Sequence, residues 1–310
     1  MINSLDFVKV TEDAAIAAAR WMGRGERNVA DGAAVERMRE RLGEMNISGR
    51  VVIGEGERDE APMLYIGEEV GRGGHPVDIA VDPIEGTNLV ANGLPNSIAV
   101  LAIAERGALL HAPDTYMQKL AVGPKAAPYI NLDAKTGENL HAVAAALGKP
   151  IDEICVVILD RPRHRELIEE VRAAGARIRL ISDGDVDSCI ATAIPSTGIH
   201  LAMGIGGAPE GVLAAVAIKC LGGNFLGRLK PRNDDEAKRA KEMGFGEIDR
   251  VLRIDDLVKS DAIFCATGIT DGDLVRGVRM FDGHAQTHSI LVHSGGVVRF
   301  VESTHRLVAR

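Results

Sequence analysis

The sequence predicts an α/β protein of layered type, with helices on the faces of a sheet, and three observations carry that expectation. After about residue 150 the chain alternates between short β-branched runs and helical runs. Asp31 to Met45 places Val35, Met38, Leu42 and Met45 at helical spacing, and His75 to Asp82 alternates with the period of a strand.

Taken in order, Thr11 to Arg24 (TEDAAIAAARWMGR) is alanine-rich and opens with Thr-x-Asp, which predicts a helix capped by Thr11. Asp31 to Met45 is a second helix, with Asp31 at its opening. Arg50 to Gly54 (RVVIG) is a strand closed by glycine. Ala61 to Val70 is expected as a helix with Pro62 in its first turn. In His75 to Asp82, Val77, Ile79 and Val81 share one face. Pro83 has no N–H and disfavours helical geometry at Asp82, so the strand should stop there. Strands follow at Ser97 to Ala104 and Lys119 to Val122.

Beyond residue 150, Ile154 to Leu159 is a strand, and His164 to Ala174 is a helix ended by Gly175. Ala176 to Ile181 and Ile199 to Ile205 are strands. Pro209 to Leu221 is a helix ended by Gly222-Gly223, and Asn233 to Gly244 is a charged, solvated helix. From about residue 262 short strands are expected, with a hairpin through Gly295-Gly296. The change of pattern divides the chain into 1–150 and 151–310.

Bulk properties narrow the function. The 310 residues are 46% hydrophobic, enough for a large core in one or two domains. Lys and Arg total 36 against 44 Asp and Glu, a net charge of -8. That balance argues against a nucleic-acid or anionic-membrane partner, since both need basic surface. Cysteines 155, 189, 220 and 265 are widely spaced and form no C-x-x-C pair, which fits a reducing compartment. No run approaches the roughly 18 apolar residues of a membrane span, and the first residues carry no signal-peptide pattern. The expectation is a cytoplasmic protein.

The acids at element ends carry the chemistry. Asp31 opens a helix, Glu55 and Glu57 follow a strand, Asp82 and Glu85 follow another, and Glu210 opens a third helix. Each alone reads equally well as a helix-terminal acid or a solvated turn. Together they match the demand of a hard divalent cation for carboxylate oxygens from several elements. The glycines beside Glu55 and after Glu85 let backbone approach a ligand. Thr87 adds a hydroxyl two residues past a candidate ligand, placed to orient a water made acidic by the cation. Phosphate-monoester hydrolysis is among the slowest uncatalysed reactions, and metal ions in an acid-lined pocket are a direct way to accelerate it.

Asp82-Pro83-Ile84-Glu85-Gly86-Thr87 resembles the D-P-x-[DE]-G-T signature of the lithium-sensitive, metal-dependent sugar phosphatases. Pro209-Glu210-Gly211, before a helix ending in Gly222-Gly223, resembles that superfamily's second signature. Val52 to Glu57, Asp59 to Glu68, Ala112-Pro113-Asp114-x-Tyr116-Met117 and Gly204 to Gly211 resemble the bacterial class II fructose-1,6-bisphosphatases, with similarity running from about Asp6 to Thr270. The resemblance implies a layered α-β-α-β-α fold with two mixed sheets, the metal and phosphate residues falling mostly in the first half. It implies Mn2+ or Mg2+ held by Asp31, Glu55, Asp82, Glu85 and Glu210. It implies Thr87 and Asp59 as partners in activating the attacking water, with Glu57 as a helper. Contacts to the scissile phosphate fall to Glu85, Gly86 and Thr87. The sugar and the distal phosphate fall to Tyr116, Arg161, Pro162, Arg163, Asp183, Gly184, Asp185 and Gly207.

Arg161-Pro162-Arg163 and Asp183-Gly184-Asp185 also make sense unaided. Both follow strands, where open α/β sheets place ligands. Guanidinium forks suit a phosphate that is held, and carboxylates beside glycine suit sugar hydroxyls. The implied reaction is hydrolysis of the 1-phosphate of fructose 1,6-bisphosphate in gluconeogenesis, by a homo-oligomer (dimer or tetramer). Alternatives are a broader bisphosphatase also using sedoheptulose 1,7-bisphosphate, an inositol-type monophosphatase, and a non-catalytic metal and phosphate sensor. Arg161 and Arg27 depart from the lysines common at those family positions. His284, His288 and His293 have no metal-site spacing and are expected as ordinary surface or edge-strand residues.

Overall fold

A computed structural model describes residues 4–56 and 62–307. The chain begins with α1 (Ser4–Ala19), α2 (Arg27–Gly43), β1 (Ile47–Ile53), β2 (Glu69–Val70), β3 (His75–Glu85), α3 (Thr87–Asn92), β4 (Ile98–Glu105) and β5 (Tyr116–Val122). It continues through α4 (Thr136–Leu147), β6 (Cys155–Leu159), α5 (Arg165–Ala173), β7 (Arg177–Ile181), α6 (Asp185–Ala191), β8 (Leu201–Gly207), α7 (Ala208–Cys220), β9 (Asn224–Lys230) and α8 (Asp234–Glu242). It closes with β10 (Leu252–Arg253), α9 (Ile254–Leu257), β11 (Ala262–Gly268), β12 (Arg279–Phe281), β13 (His284–His293) and β14 (Val297–Arg306). Two compact units result: Met1–Leu109 with Ser260–Arg310, and Leu110–Lys259. These units divide the chain differently from the halves 1–150 and 151–310. Strand β11 pairs with β4 along its whole length, and α4 packs in the same core as β6, so each carries its segment across the residue-150 line.

The first unit is built on a mixed sheet ordered β12-β13-β11-β4-β3-β1-β2, with β14 on the other side of β13. Strands β1 and β3 are parallel, and their neighbours run antiparallel. Helices α1 and α2 bury Phe7, Val10, Met38 and Leu42 in one core with Ile79, Leu101, Cys265 and Leu291 of the sheet. Helix α1 begins at Ser4 rather than at a Thr11 cap. Phe7 and Val10 extend its apolar face towards the N-terminus, and Thr11 lies buried inside it. The Thr11 hydroxyl donates to the Val8 carbonyl at 2.9 Å and lies 2.8 Å from the Thr267 hydroxyl. Helix α2 likewise begins at Arg27, so Asp31 sits one turn inside instead of opening it.

Two further expectations are corrected. Residues 62–70 form no helix. Their end is captured as β2 against β1, and the Glu68 carboxylate ties the segment down by accepting from Leu64 N and Arg39 Nε, each at 2.5 Å. Strand β3 does not stop at Asp82; it runs through Pro83 to Glu85 by way of a bulge. The predicted hairpin at Gly295-Gly296 is present, but its strands β13 and β14 are long, with 10 residues each. The three histidines therefore stand on an interior strand, and the edge position belongs to β14.

The second unit is built on the mixed sheet β10-β9-β5-β8-β6-β7. Strands β6, β7 and β8 are parallel neighbours, and β5 runs antiparallel to β8 and β9. Leu120, Val122, Val156 and Ile158 share one core with Leu140 and Val143 of α4 and Ile168 and Val171 of α5. The intervening residues, Lys119 and Val157 among them, point to the opposite face. Among the described residues no helix is long and apolar enough to cross a membrane.

Candidate active site

Because β1 and β3 are adjacent and parallel, their carboxyl ends open on one edge of the first sheet. Glu55 follows β1 there, and Asp82 and Glu85 end β3. In a regular strand, residues three apart point to opposite faces. The bulge changes this. Asp82 pairs with Val100 and Glu85 with Ile98, so β3 spends one more residue than β4 over the same span. Pro83, with no N–H to offer a ladder, is at home in such a bulge. The result is that carboxylate oxygens of Asp82 and Glu85 come within 4.8 Å of each other. Asp82 Oδ1 accepts from the Ile84 amide at 3.0 Å, and the Ser97 hydroxyl donates to the Glu85 carbonyl at 2.9 Å, which fix the bulge from both sides.

Glu55 is placed by Gly54. A Cβ on residue 54 would stand 2.0 Å from the Leu64 carbonyl oxygen, which accepts the Glu55 N–H at 3.0 Å. Burial, with the nearby Asp31 charge added, pushes the Glu55 carboxyl up to about 7. Burial also raises Asp31, against the opposing pull of Arg27. Acids held this far above their ordinary range are carboxylates short of positive charge, which a divalent cation would supply. Gly86 takes the left-handed conformation with φ 85° and turns the chain into α3. Thr87 opens that helix, and its hydroxyl donates to the Ile84 carbonyl at 3.3 Å. Glu57 and Asp59 lie outside the described residues.

In the second unit the carboxyl ends of β6, β7 and β8 share an edge with the start of β5, since Tyr116 pairs with Gly207. This edge gathers Tyr116, Arg161, Pro162, Arg163, Asp183, Gly184, Asp185 and Gly207. The Arg163 fork donates from Nε at 3.1 Å and Nη2 at 2.8 Å to the Ile205 carbonyl, and its centre lies 4.7 Å from the Tyr116 ring. Arg161 reaches to 3.8 Å from Asp183. Gly184, with φ 72°, leads into α6, which Asp185 opens. Glu210 sits in the first turn of α7 rather than at its opening, and folds back so closely that a Cβ on Gly207 would meet its Oε2 at 1.9 Å. That Oε2 is buried with no hydrogen-bond partner among the described residues. Burial raises the Glu210 carboxyl, while Lys119 pulls it back.

Three residues that the sequence reading missed belong to this edge. Lys119, buried on β5, donates from Nζ to both oxygens of Asp185 at 2.8 and 2.7 Å. Burial alone would lower it, but Asp185 and Glu210 hold it above its ordinary value. Arg232 brings a second guanidinium to Tyr116, 5.1 Å from the ring. His164 donates from Nδ1 to the Leu159 carbonyl and accepts the Ile205 N–H at Nε2, both at 2.7 Å. Burial first, then Arg163 and Arg161, lower its pKa, so it serves as a neutral strut between β6 and β8. The one local signal was a lysine in the middle of an apolar strand; Arg232 and His164 carried none.

Chains of known kind share this sequence closely. The D-fructose 1,6-bisphosphatase class 2/sedoheptulose 1,7-bisphosphatase of Synechococcus sp. (strain JA-3-3Ab) is 48% identical over 328 residues, covering 97% of this chain and 94% of that one. The protein of the same name from Trichodesmium erythraeum (strain IMS101) is 48% identical over 331 residues, covering 98% and 96%. The family described as bacterial fructose-1,6-bisphosphatase, glpX-encoded, matches residues 2–305. With the match spanning nearly the whole sequence, the chain belongs to the glpX-encoded bacterial fructose-1,6-bisphosphatase family.

Proposed function

We propose that this protein hydrolyses the 1-phosphate of fructose 1,6-bisphosphate to fructose 6-phosphate and phosphate, using Mn2+ or Mg2+. The observation that carries the reading is the bulge that sets Asp82 and Glu85 within 4.8 Å of each other at a strand end, immediately before Thr87, in a chain of this family. We assign the cation to Asp31, Glu55, Asp82, Glu85 and Glu210. The raised carboxyls of Asp31, Glu55 and Glu210 and the unpartnered Glu210 Oε2 support that donor set. Bound there, the cation neutralises phosphate charge and acidifies water.

The protein's own groups do the rest. Thr87 orients the attacking water with Asp59, and Glu57 assists them. The scissile phosphate is held at Glu85, Gly86 and Thr87. Arg161 and Arg163 hold the distal phosphate, and Tyr116, Asp183, Asp185 and Gly207 take the sugar. A second reading, sedoheptulose 1,7-bisphosphate as a further substrate, is favoured by the names of the relatives. We place the enzyme in the cytoplasm as a homo-oligomer acting on a small molecule, not on nucleic acid or membrane. Phosphate release tests the reading. Both bisphosphates should be tried beside fructose 6-phosphate and an inositol monophosphate, with manganese and with chelator. Metal-dependent release from fructose 1,6-bisphosphate is expected; metal-independent release, or equal rates on the monophosphates, contradicts it.

A further inference from the structure

Lys119 and Gly206 act on one side chain from two directions. Lys119 lies buried on β5, directly between Gly204 of β8 and Gly227 of β9. Its stem lies against α7, where a Cβ on Gly211 would stand 3.5 Å from Lys119 Cε. Its ammonium holds both oxygens of Asp185 at 2.8 and 2.7 Å. From the other side, a Cβ on Gly206 would stand 2.0 Å from Asp185 Oδ2 and 3.0 Å from Lys119 Nζ. Gly206 does not need a left-handed backbone, since its φ lies outside that region. What requires glycine there is the space the Lys119–Asp185 pair occupies. A carboxylate gripped through both oxygens by one ammonium keeps lone pairs for other donors, and sugar hydroxyls are such donors. A buried ion pair with both partners in place is rigid, and one partner alone is costly.

We propose that Lys119 is a positioning residue, which together with the steric gap at Gly206 fixes Asp185 for recognition of the sugar rather than of the phosphate or the metal. The proposal rests on the function proposed above. It separates sugar recognition from the chemistry. Moving Asp185 weakens everything that carries the fructose skeleton and leaves untouched what carries phosphate alone.

The test compares wild type, Lys119→Met, Lys119→Arg and Gly206→Ala. It reads KM and kcat for fructose 1,6-bisphosphate, inhibition constants for fructose 6-phosphate and for inorganic phosphate, and the manganese concentration giving half-maximal rate. Lys119→Met and Gly206→Ala should each raise KM and the fructose 6-phosphate constant by about tenfold or more; in Gly206→Ala, which keeps the Lys119 charge near Glu210, kcat, the phosphate constant and the manganese requirement should stay within about twofold. Lys119→Arg, which keeps the charge, should recover part of the loss. Should Lys119→Met fail to fold, Gly206→Ala and Lys119→Arg decide the matter. An unchanged KM in Gly206→Ala, or a matching loss in that variant's phosphate constant or manganese requirement, overturns the proposal. Wild type inactive on fructose 1,6-bisphosphate would instead defeat the proposed function. Calorimetric binding of fructose 6-phosphate would then still read the inference: weaker in Gly206→Ala supports it, and equal or absent binding overturns it.

Discussion

Thr87 shows what a single residue is asked to do. Its hydroxyl is tied only loosely, at 3.3 Å to the Ile84 carbonyl, so it is held near the Asp82–Glu85 pair while free to turn towards a ligand. Thr87→Ala removes the hydroxyl and no charge. It is expected to lower kcat by about 10²-fold or more while manganese and substrate affinities stay within a few-fold, as positioned proton-transfer groups do. Equal loss of binding and turnover would reassign Thr87 to structure. Legibility at this scale followed sequence separation. Asp82, Glu85 and Thr87 were readable because a bulge and a glycine bring them together within a few residues. Lys119 and Arg232 were not, because what they touch, Asp185 and Tyr116, lies in distant parts of the chain.

At the level of elements, the errors share a cause: local rules were overridden by pairing with neighbours. Pro83 should end a strand, and instead sits in the bulge that continues it, because β4 supplies a partner on the far side. Thr11 has cap chemistry, yet its hydroxyl is used in the core with Thr267 and, through it, Ser289. The stretch before Val70 has helix-like composition, but β1 captures its end. One link between elements gives a direct prediction. Strand β14 is held to α1 by Glu12, which accepts from Thr287 at 3.0 Å and lies 3.6 Å from His305 Nε2. Burial would raise Glu12, but His305 and the surrounding hydrogen bonds outweigh it and lower the pKa from 4.5. The nearby Glu12 carboxylate raises His305 from 6.5. The His305 contribution is therefore complete below pH 6.5 and fades as pH rises through its higher folded value. The Glu12 contribution is complete above pH 4.5 and fades as pH falls through its lower one. Thermal midpoints of wild type and His305→Ala should differ by roughly 2 °C or more near pH 6, and the difference should shrink as pH rises above 6.5 through the raised folded value. A difference that is constant with pH would show that His305 acts by packing alone.

For the molecule as a whole, the alternation after residue 150 correctly announced an α/β chain, and each unit has its mixed sheet. The return of residues 262–306 to the first sheet was not legible. Ala262 pairs with Ala104 and Gly268 with Ile98, and no local periodicity records which distant strand a run will join. The candidate site could be proposed from short spacings where the topology could not, because the chemistry asks for particular residue types close together while the sheet accepts any apolar strand that fits. The proposed function requires that divalent cations bind at Asp31, Glu55, Asp82, Glu85 and Glu210. Anomalous scattering at the manganese edge, from crystals grown with Mn2+, measures this directly. The account predicts manganese peaks among those carboxylates; peaks elsewhere, or none in crystals of protein that hydrolyses fructose 1,6-bisphosphate, would contradict it.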